Sequence, residues 1–270
     1  SRMNEVTLQN PYTIPSSDLM DKAAPGQALS IEEALTRRYD FAIFDLLGEA
    51  WRKTKGTKGL IWGGLFACAG VLIGAQLALY LVAMVLGLGA FGLAAIGGGE
   101  GAAMAGVVGM LLLTVLSTVV SLAITYPFMA GFNMIGIRQA AGQPLRFSEF
   151  FSHFNRTLAL LGAAILMSIA IIIGFALLVL PGIYLSIATL LTIPLVVERK
   201  LSPWQAMMVS CKAITQHWFK VFFLFLTMNI VVWISMLPLG IGLIWTIPMF
   251  IVMIGVLYNR IFGVLPPPAH

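Results

Sequence analysis

Charge is what this chain has least of. Asp, Glu, Lys and Arg together make up 10% of its 270 residues, against 59% hydrophobic. Soluble domains carry about a quarter charged residues, so the polar surface of a water-soluble fold of this size is missing. Cysteine is nearly absent as well. Cys68 lies in an apolar run and Cys211 in a basic-side segment, a placement that argues against a disulfide framework. No nucleophile elbow, HExxH helix or paired carboxylate occurs, and His153 and His217 have no Cys or carboxylate at metal-ligand spacing. The reading is therefore of a protein that is not an enzyme and carries no metal or cofactor. The GGGEG stretch around Glu100 lacks the Lys-Ser/Thr of a phosphate-binding loop and a preceding strand. The first 57 residues contain no apolar h-region, so no secretory signal is expected there.

What is present is long apolar runs. Mean hydropathy is +0.95, and six runs are predicted to span a bilayer, at 59–86, 104–132, 157–180, 183–197, 219–237 and 240–260. The formal charge of +5 is a topology signal rather than a sign of nucleic-acid binding. All 16 Lys and Arg fall in the N-terminal segment, in the 138–156 and 199–220 connections, or at Arg260. Basic connections mark the cytoplasmic side, which predicts N- and C-termini inside. Outside lie the Gly-rich loop 87–103, a turn at Pro181-Gly182, and Leu237-Pro238-Leu239-Gly240.

The returning run of each pair carries Thr-x-Pro: Thr125 and Pro127, Thr192 and Pro194, Thr246 and Pro248. Ser148 to Thr192 and Ser202 to Thr246 are the same 44-residue step. Ser202-Pro203 with Gln205 reads as a helix start, and Ser30 with Glu33 reads as a capping box. These features predict an all-α integral membrane fold of three parallel hairpin repeats with pseudo-threefold symmetry. A cytoplasmic interfacial amphipathic helix would precede each repeat. The expected divisions are a disordered tail at 1–30, repeats at 31–132, 133–197 and 198–262, and a short tail at 263–270. In the first repeat, Phe41, Phe44, Leu47 and Trp51 recur at helical spacing among charges, as a helix lying in the membrane interface requires.

The segment VLPGIYLSIATLLTIPLVVERKLSPWQAMMVSCKAITQHWFKVFF resembles the corresponding region of the YciC-type bacterial inner-membrane proteins. It is also similar to the membrane region fused to some bacterial glycerophosphodiester phosphodiesterases. The resemblance covers about 170–225 and implies a bacterial inner-membrane protein of six or so spans. It brings no catalytic residues.

Proline inside a spanning helix frees the carbonyl four residues back. Three such kinks around one axis would line a path for a small solute, ion or lipid, with Thr125, Thr192 and Thr246 supplying hydroxyls. Alternatively the prolines only shape the bundle. No ionisable residue falls mid-span, which argues against a carboxylate proton relay. Gln76 and Asn229 read as interhelical hydrogen-bond partners. Glu198, Arg199 and Lys200 would mark a cavity mouth or a solvated interface, with Arg146 or Lys220 as partners for Glu198. Arg156, Trp204, Lys212, Trp218 and Lys220 suit anionic lipid headgroups. Gly59/Gly63 and Gly70/Gly74 allow close helix approach within the chain, in a homo-oligomer or with a partner membrane protein. Two function classes follow: a transporter or channel-like protein, or a non-transporting scaffold or envelope-homeostasis factor that binds lipid or a partner.

Overall fold

The computed structural model describes residues 28–86 and 98–268. The expected tail, apart from its last three residues, and most of the Gly-rich loop lie outside them. The described residues fold into ten α-helices and two short 3-10 turns. In chain order the helices are α1 Ile31–Thr36, α2 Ile43–Lys53, α3 Lys58–Val85, α4 Glu100–Ala140 and α5 Thr157–Leu177. They continue with α6 Val179–Ala188, α7 Thr192–Glu198, α8 Pro203–Thr215, α9 Trp218–Met236 and α10 Leu243–Phe262. Six segments are long and apolar enough to cross a membrane: α3, α4, Phe147–Leu177, Val179–Glu198, α9 and α10.

The helix starts follow from local chemistry. Ser30 Oγ accepts the Glu33 N–H at 3.2 Å, and Glu33 Oε2 accepts the Ser30 N–H at 3.0 Å, closing a capping box. Ser202 Oγ accepts the Gln205 N–H at 3.4 Å, with Pro203 in the first helical position.

Three boundaries differ from the sequence expectation. Helix α4 does not stop at residue 132 but runs on to Ala140 through residues expected in a loop. Its continuation is apolar and buried, at Met134, Ile135 and Ile137. Gly142 then ends it in the left-handed conformation (φ +72°), where the Gln143 N–H reaches the Arg138 carbonyl at 2.8 Å. The second hairpin turns at Leu178 rather than at Pro181-Gly182. Pro181 sits in the first turn of α6, where its missing N–H costs nothing. Gly182 packs so close to Phe175 that a Cβ there would lie 2.4 Å from the ring. The fourth span is broken between α6 and α7, and Ser210 of α8 bridges the break. The Ser210 hydroxyl accepts the Leu191 N–H at 3.1 Å and donates to the Ala188 carbonyl at 2.7 Å. Pro194 thus falls in the first turn of a new helix and does not kink a continuous one.

The packed interior lies toward the basic end. Buried residues gather at 130–140, 188–198, 206–214, 221–228 and 249–264. In their most apolar 18-residue stretches the fourth and sixth spans are about half buried (50% and 56%) and the first is not (0%), so the fourth and sixth are central. Helix α4, at 41 residues, is about 60 Å long, twice the hydrocarbon thickness of a bilayer. Its C-terminal part crosses α10 with backbone in contact: a Cβ on Gly255 would lie 2.1 Å from the Gly136 carbonyl oxygen. Its N-terminal part pairs with α3 through Gln76, which donates to Ser121 Oγ (2.7 Å) and accepts from Ser117 Oγ (2.7 Å). Asn229 instead bonds the Phe225 carbonyl of its own helix.

Helix α2 turns Leu46, Leu47 and Ala50 to the protein's own core and leaves Phe44 and Trp51 exposed. The expected stripe is therefore split between core and surface. Phe41 lies before the helix and is buried. The segment before the third span forms 3-10 turns, Phe147–Phe151 and Phe154–Arg156, in place of an amphipathic helix. Phe150 inserts its ring against Gly64 and Gly131, which fixes that segment to both α3 and α4.

Candidate functional site

Four elements converge at the basic end: the last turns of α4, the 3-10 segment leading into α5, the end of α7, and the stretch after α10. Between them lies a cleft of about 400 Å³, whose lining includes Arg138, His153, Arg156, Glu198, Lys200 and Leu265. Arg138 and Lys200, from different connections, share this one recess.

One wall is a buried ionic clasp. Glu198 and Arg199 are a salt bridge with side chains only 2% and 7% exposed, so Glu198 is not a solvated interface charge. Arg199 Nε donates to Glu198 Oε2 at 2.5 Å, and the Tyr258 hydroxyl donates to the same oxygen at 2.6 Å. Glu198 Oε1 accepts the Leu265 N–H at 2.7 Å. The rest of the Arg199 guanidinium donates to the carbonyls of Leu29 (2.5 Å), Phe262 (2.8 Å) and Gly263 (3.2 Å). A guanidinium can fill several acceptors at once through its planar fork. This pair therefore holds the segment before α1, the end of α10 and the stretch beyond it to the end of α7. Lys220, one of the expected partners of Glu198, pairs instead with Asp40.

The opposite wall is cationic. Arg156 donates to the carbonyls of Val196 (3.3 Å) and Leu201 (3.1 Å), which ties the start of α5 to both ends of the α7–α8 link. Among the described residues its Nε is buried without a hydrogen-bond partner. Arg138 Nη1 donates to Gln143 Oε1 at 3.3 Å, and its Nε faces Glu149 Oε2 at 3.5 Å in a salt bridge. Glu149 also meets His153 Nε2 at 2.9 Å. Lys200 is exposed at the rim, in the left-handed conformation at φ +53°. Charges inside the cleft are thus Arg138, Arg156 and Lys200, with Glu198 already neutralised by Arg199 and Glu149 shared between Arg138 and His153. Two guanidinium groups and an ammonium on one recess suit an anion with several oxygens.

The Thr-x-Pro residues lie elsewhere, and their hydroxyls serve their own segments where a bond is seen. Thr192 is fully buried and donates to the Thr189 carbonyl at 2.7 Å. Thr246 donates to the Gly242 carbonyl at 3.2 Å. Thr125 is half-buried in α4, two residues before the buried Pro127. Pro248 frees the carbonyl of Ile244, and the Trp62 indole N–H of α3 donates to it at 3.2 Å. Of the residues expected at lipid headgroups, Trp204 and Lys212 are exposed. Trp218 donates to the Tyr184 carbonyl at 3.1 Å and stacks on Phe222. Arg156 faces the cleft.

Sequence reasoning missed Arg138, Tyr258, Gln143 and Ser210 as site or framework residues. Arg138 carried a visible signal, a lone cation at the end of an unbroken apolar run. Tyr258 and Ser210 carried none, since each acts on a partner far away in the chain. No protein-family model matches the chain, and neither a curated protein nor a solved structure does.

Proposed function

We propose that this multi-pass membrane protein works at its cationic cleft, binding an anionic ligand there as a non-transporting scaffold or envelope-homeostasis factor of the bacterial inner membrane. The observation that carries the reading is the gathering of Arg138, Arg156 and Lys200 in one recess whose carboxylate, Glu198, is already paired with Arg199. A solute path around the Thr-x-Pro residues would draw on their hydroxyls, and the hydrogens of Thr192 and Thr246 are already donated to neighbouring carbonyls. An orientation with both termini inside is supported by Arg138, Arg156 and Lys200 sharing one cleft. A threefold hairpin plan is supported by the position of each Thr-x-Pro on the returning helix of its pair, α4, α7 and α10.

Reconstitution tests the choice between the two classes. The purified chain in detergent is expected to bind anionic vesicles of phosphatidylglycerol over neutral ones of phosphatidylcholine, with Arg138→Gln lowering the preference. In sealed vesicles it is expected to give no flux of ions or small solutes. Flux that disappears in Thr192→Val would restore the transport reading.

A further inference from the structure

The stretch after α10 is a further wall of the cleft, and it is held differently from the other two. Val264, Leu265, Pro266 and Pro268 line the recess. Gly263 leads the chain out of α10 at φ +68°, a backbone that favours glycine. Val264 is buried, whereas residues 265–268 are exposed. Leu265 bridges the clasp wall and the cationic wall. Its N–H donates to Glu198 Oε1 at 2.7 Å, at the end of α7, and its carbonyl accepts from Gln143 Nε2 at 2.8 Å, beyond the end of α4. Pro266, Pro267 and Pro268 follow and carry no N–H, so they add no backbone donor to this attachment. Gln143 is itself aimed. Its Oε1 accepts from Arg138 Nη1 at 3.3 Å, which turns its NH2 group toward Leu265. One side-chain amide thus joins a cleft cation to the segment that crosses the recess.

From this arrangement we infer that residues 264–268 form a strap, latched at Leu265, whose closure over the cleft tightens anion binding. The inference rests on the reading of the cleft as an anion site and adds how that site is controlled. The strap brings Val, Leu and Pro side chains and no carboxylate, so its closure displaces water from the cations without adding a competing anion. Attraction between a guanidinium and an anion strengthens as water leaves. The latch is two hydrogen bonds on one residue, each of modest net worth, so the strap opens without unfolding the core behind it. Val264 and the Arg199 bonds to the Phe262 and Gly263 carbonyls keep its root in place. Coupling between two such events is reciprocal: an anion held better by the closed strap also favours closure. Gln143 is the positioning residue of the latch, and Arg138 fixes its amide.

Hydrogen–deuterium exchange of the full chain in detergent tests the strap, since within 264–268 only Val264 and Leu265 carry a backbone amide hydrogen. Native mass spectrometry first establishes which probe binds, phosphatidylglycerol or glycerol phosphate, with phosphatidylcholine and sodium chloride as the neutral and ionic-strength controls. The bound probe is expected to slow exchange at Leu265 about fivefold, the equivalent of one hydrogen bond. Gln143→Leu keeps its backbone N–H on the Arg138 carbonyl but loses the latch. It should speed Leu265 exchange about fivefold without probe and weaken probe binding by about the same factor. A bound probe that leaves Leu265 exchange unchanged or faster would overturn the strap and leave the anion site standing. So would a Gln143→Leu variant with the parent's exchange and affinity. Retention of neither probe would overturn both.

Discussion

Replacing Arg199 by Leu tests the clasp on which the basic end depends. The substitution leaves the Glu198 carboxylate, 2% exposed, with a hydroxyl and one backbone N–H but no cation. It also removes the arginine donor from the Leu29, Phe262 and Gly263 carbonyls, of which Phe262 keeps the Leu29 N–H at 3.0 Å. Removing one partner of a buried ion pair costs about 3–5 kcal/mol, because the remaining charge stays buried. Glu198→Gln leaves one acceptor oxygen where two are used, so its NH2 group faces either the Leu265 N–H or the Tyr258 and Arg199 donors, and at least about 1–3 kcal/mol is expected to be lost. Tyr258→Phe, which removes one hydrogen bond to a charged acceptor, is expected to cost about 1.5–3 kcal/mol. Because Tyr258 and Arg199 meet at one oxygen, the Tyr258→Phe and Glu198→Gln effects should not add. Equilibrium unfolding of the detergent-solubilised protein gives the stabilities, and carboxypeptidase digestion reports release of the segment after α10. An Arg199→Leu variant within 0.5 kcal/mol of the parent, with an equally protected C-terminal segment, would refute the idea that this pair holds the end together.

Three further outcomes follow from the packing. Gly255→Ala places a methyl 2.1 Å from the Gly136 carbonyl oxygen and is expected to destabilise by about 3 kcal/mol or more. Gly59→Ala, with open space around it, should be neutral or stabilising by about 0.5–1 kcal/mol; equal thermal shifts for the two would deny the α4–α10 backbone contact. Ser210→Ala leaves the Leu191 N–H and Ala188 carbonyl unpaired at the α6–α7 break, costing about 1–3 kcal/mol, and faster amide exchange of Leu191 alone checks the mechanism. Burial works to raise the carboxyl of Glu49, but hydrogen bonds from Arg260 and Lys53 outweigh it and hold the group below its ordinary value. A depressed carboxylate stabilises above its unfolded value and stops doing so as pH falls through the folded one. Exchange in α2 should therefore accelerate below about pH 4, and Glu49→Gln should remove that dependence.

The membrane class, the six apolar segments and the helix starts at Ser30 and Ser202 were legible in the residues themselves. The physical reason is that each depends on neighbours in sequence: a run of side chains against lipid, or a hydroxyl two or three residues from an orphan N–H. The length of α4, the turn at Leu178 and the break before Thr192 were decided by contacts between distant parts of the chain. Apolar residues at 134–137 read as loop until α10 is there to cover them. Pro181-Gly182 reads as a turn until Phe175 is seen against it. The cleft belongs wholly to this second kind, since Arg138, Arg156 and Lys200 come from two separate connections and lie up to 62 positions apart. Glu198 likewise could be read from sequence as a cavity-mouth or interface charge but not as a buried one, because Tyr258 and Leu265 reach it from the far end of the chain. Sequence alone determined which stretches must leave water, because that depends on each run's own side chains, while the tertiary fold decided which of the remaining charges are neutralised and which gather around the cleft.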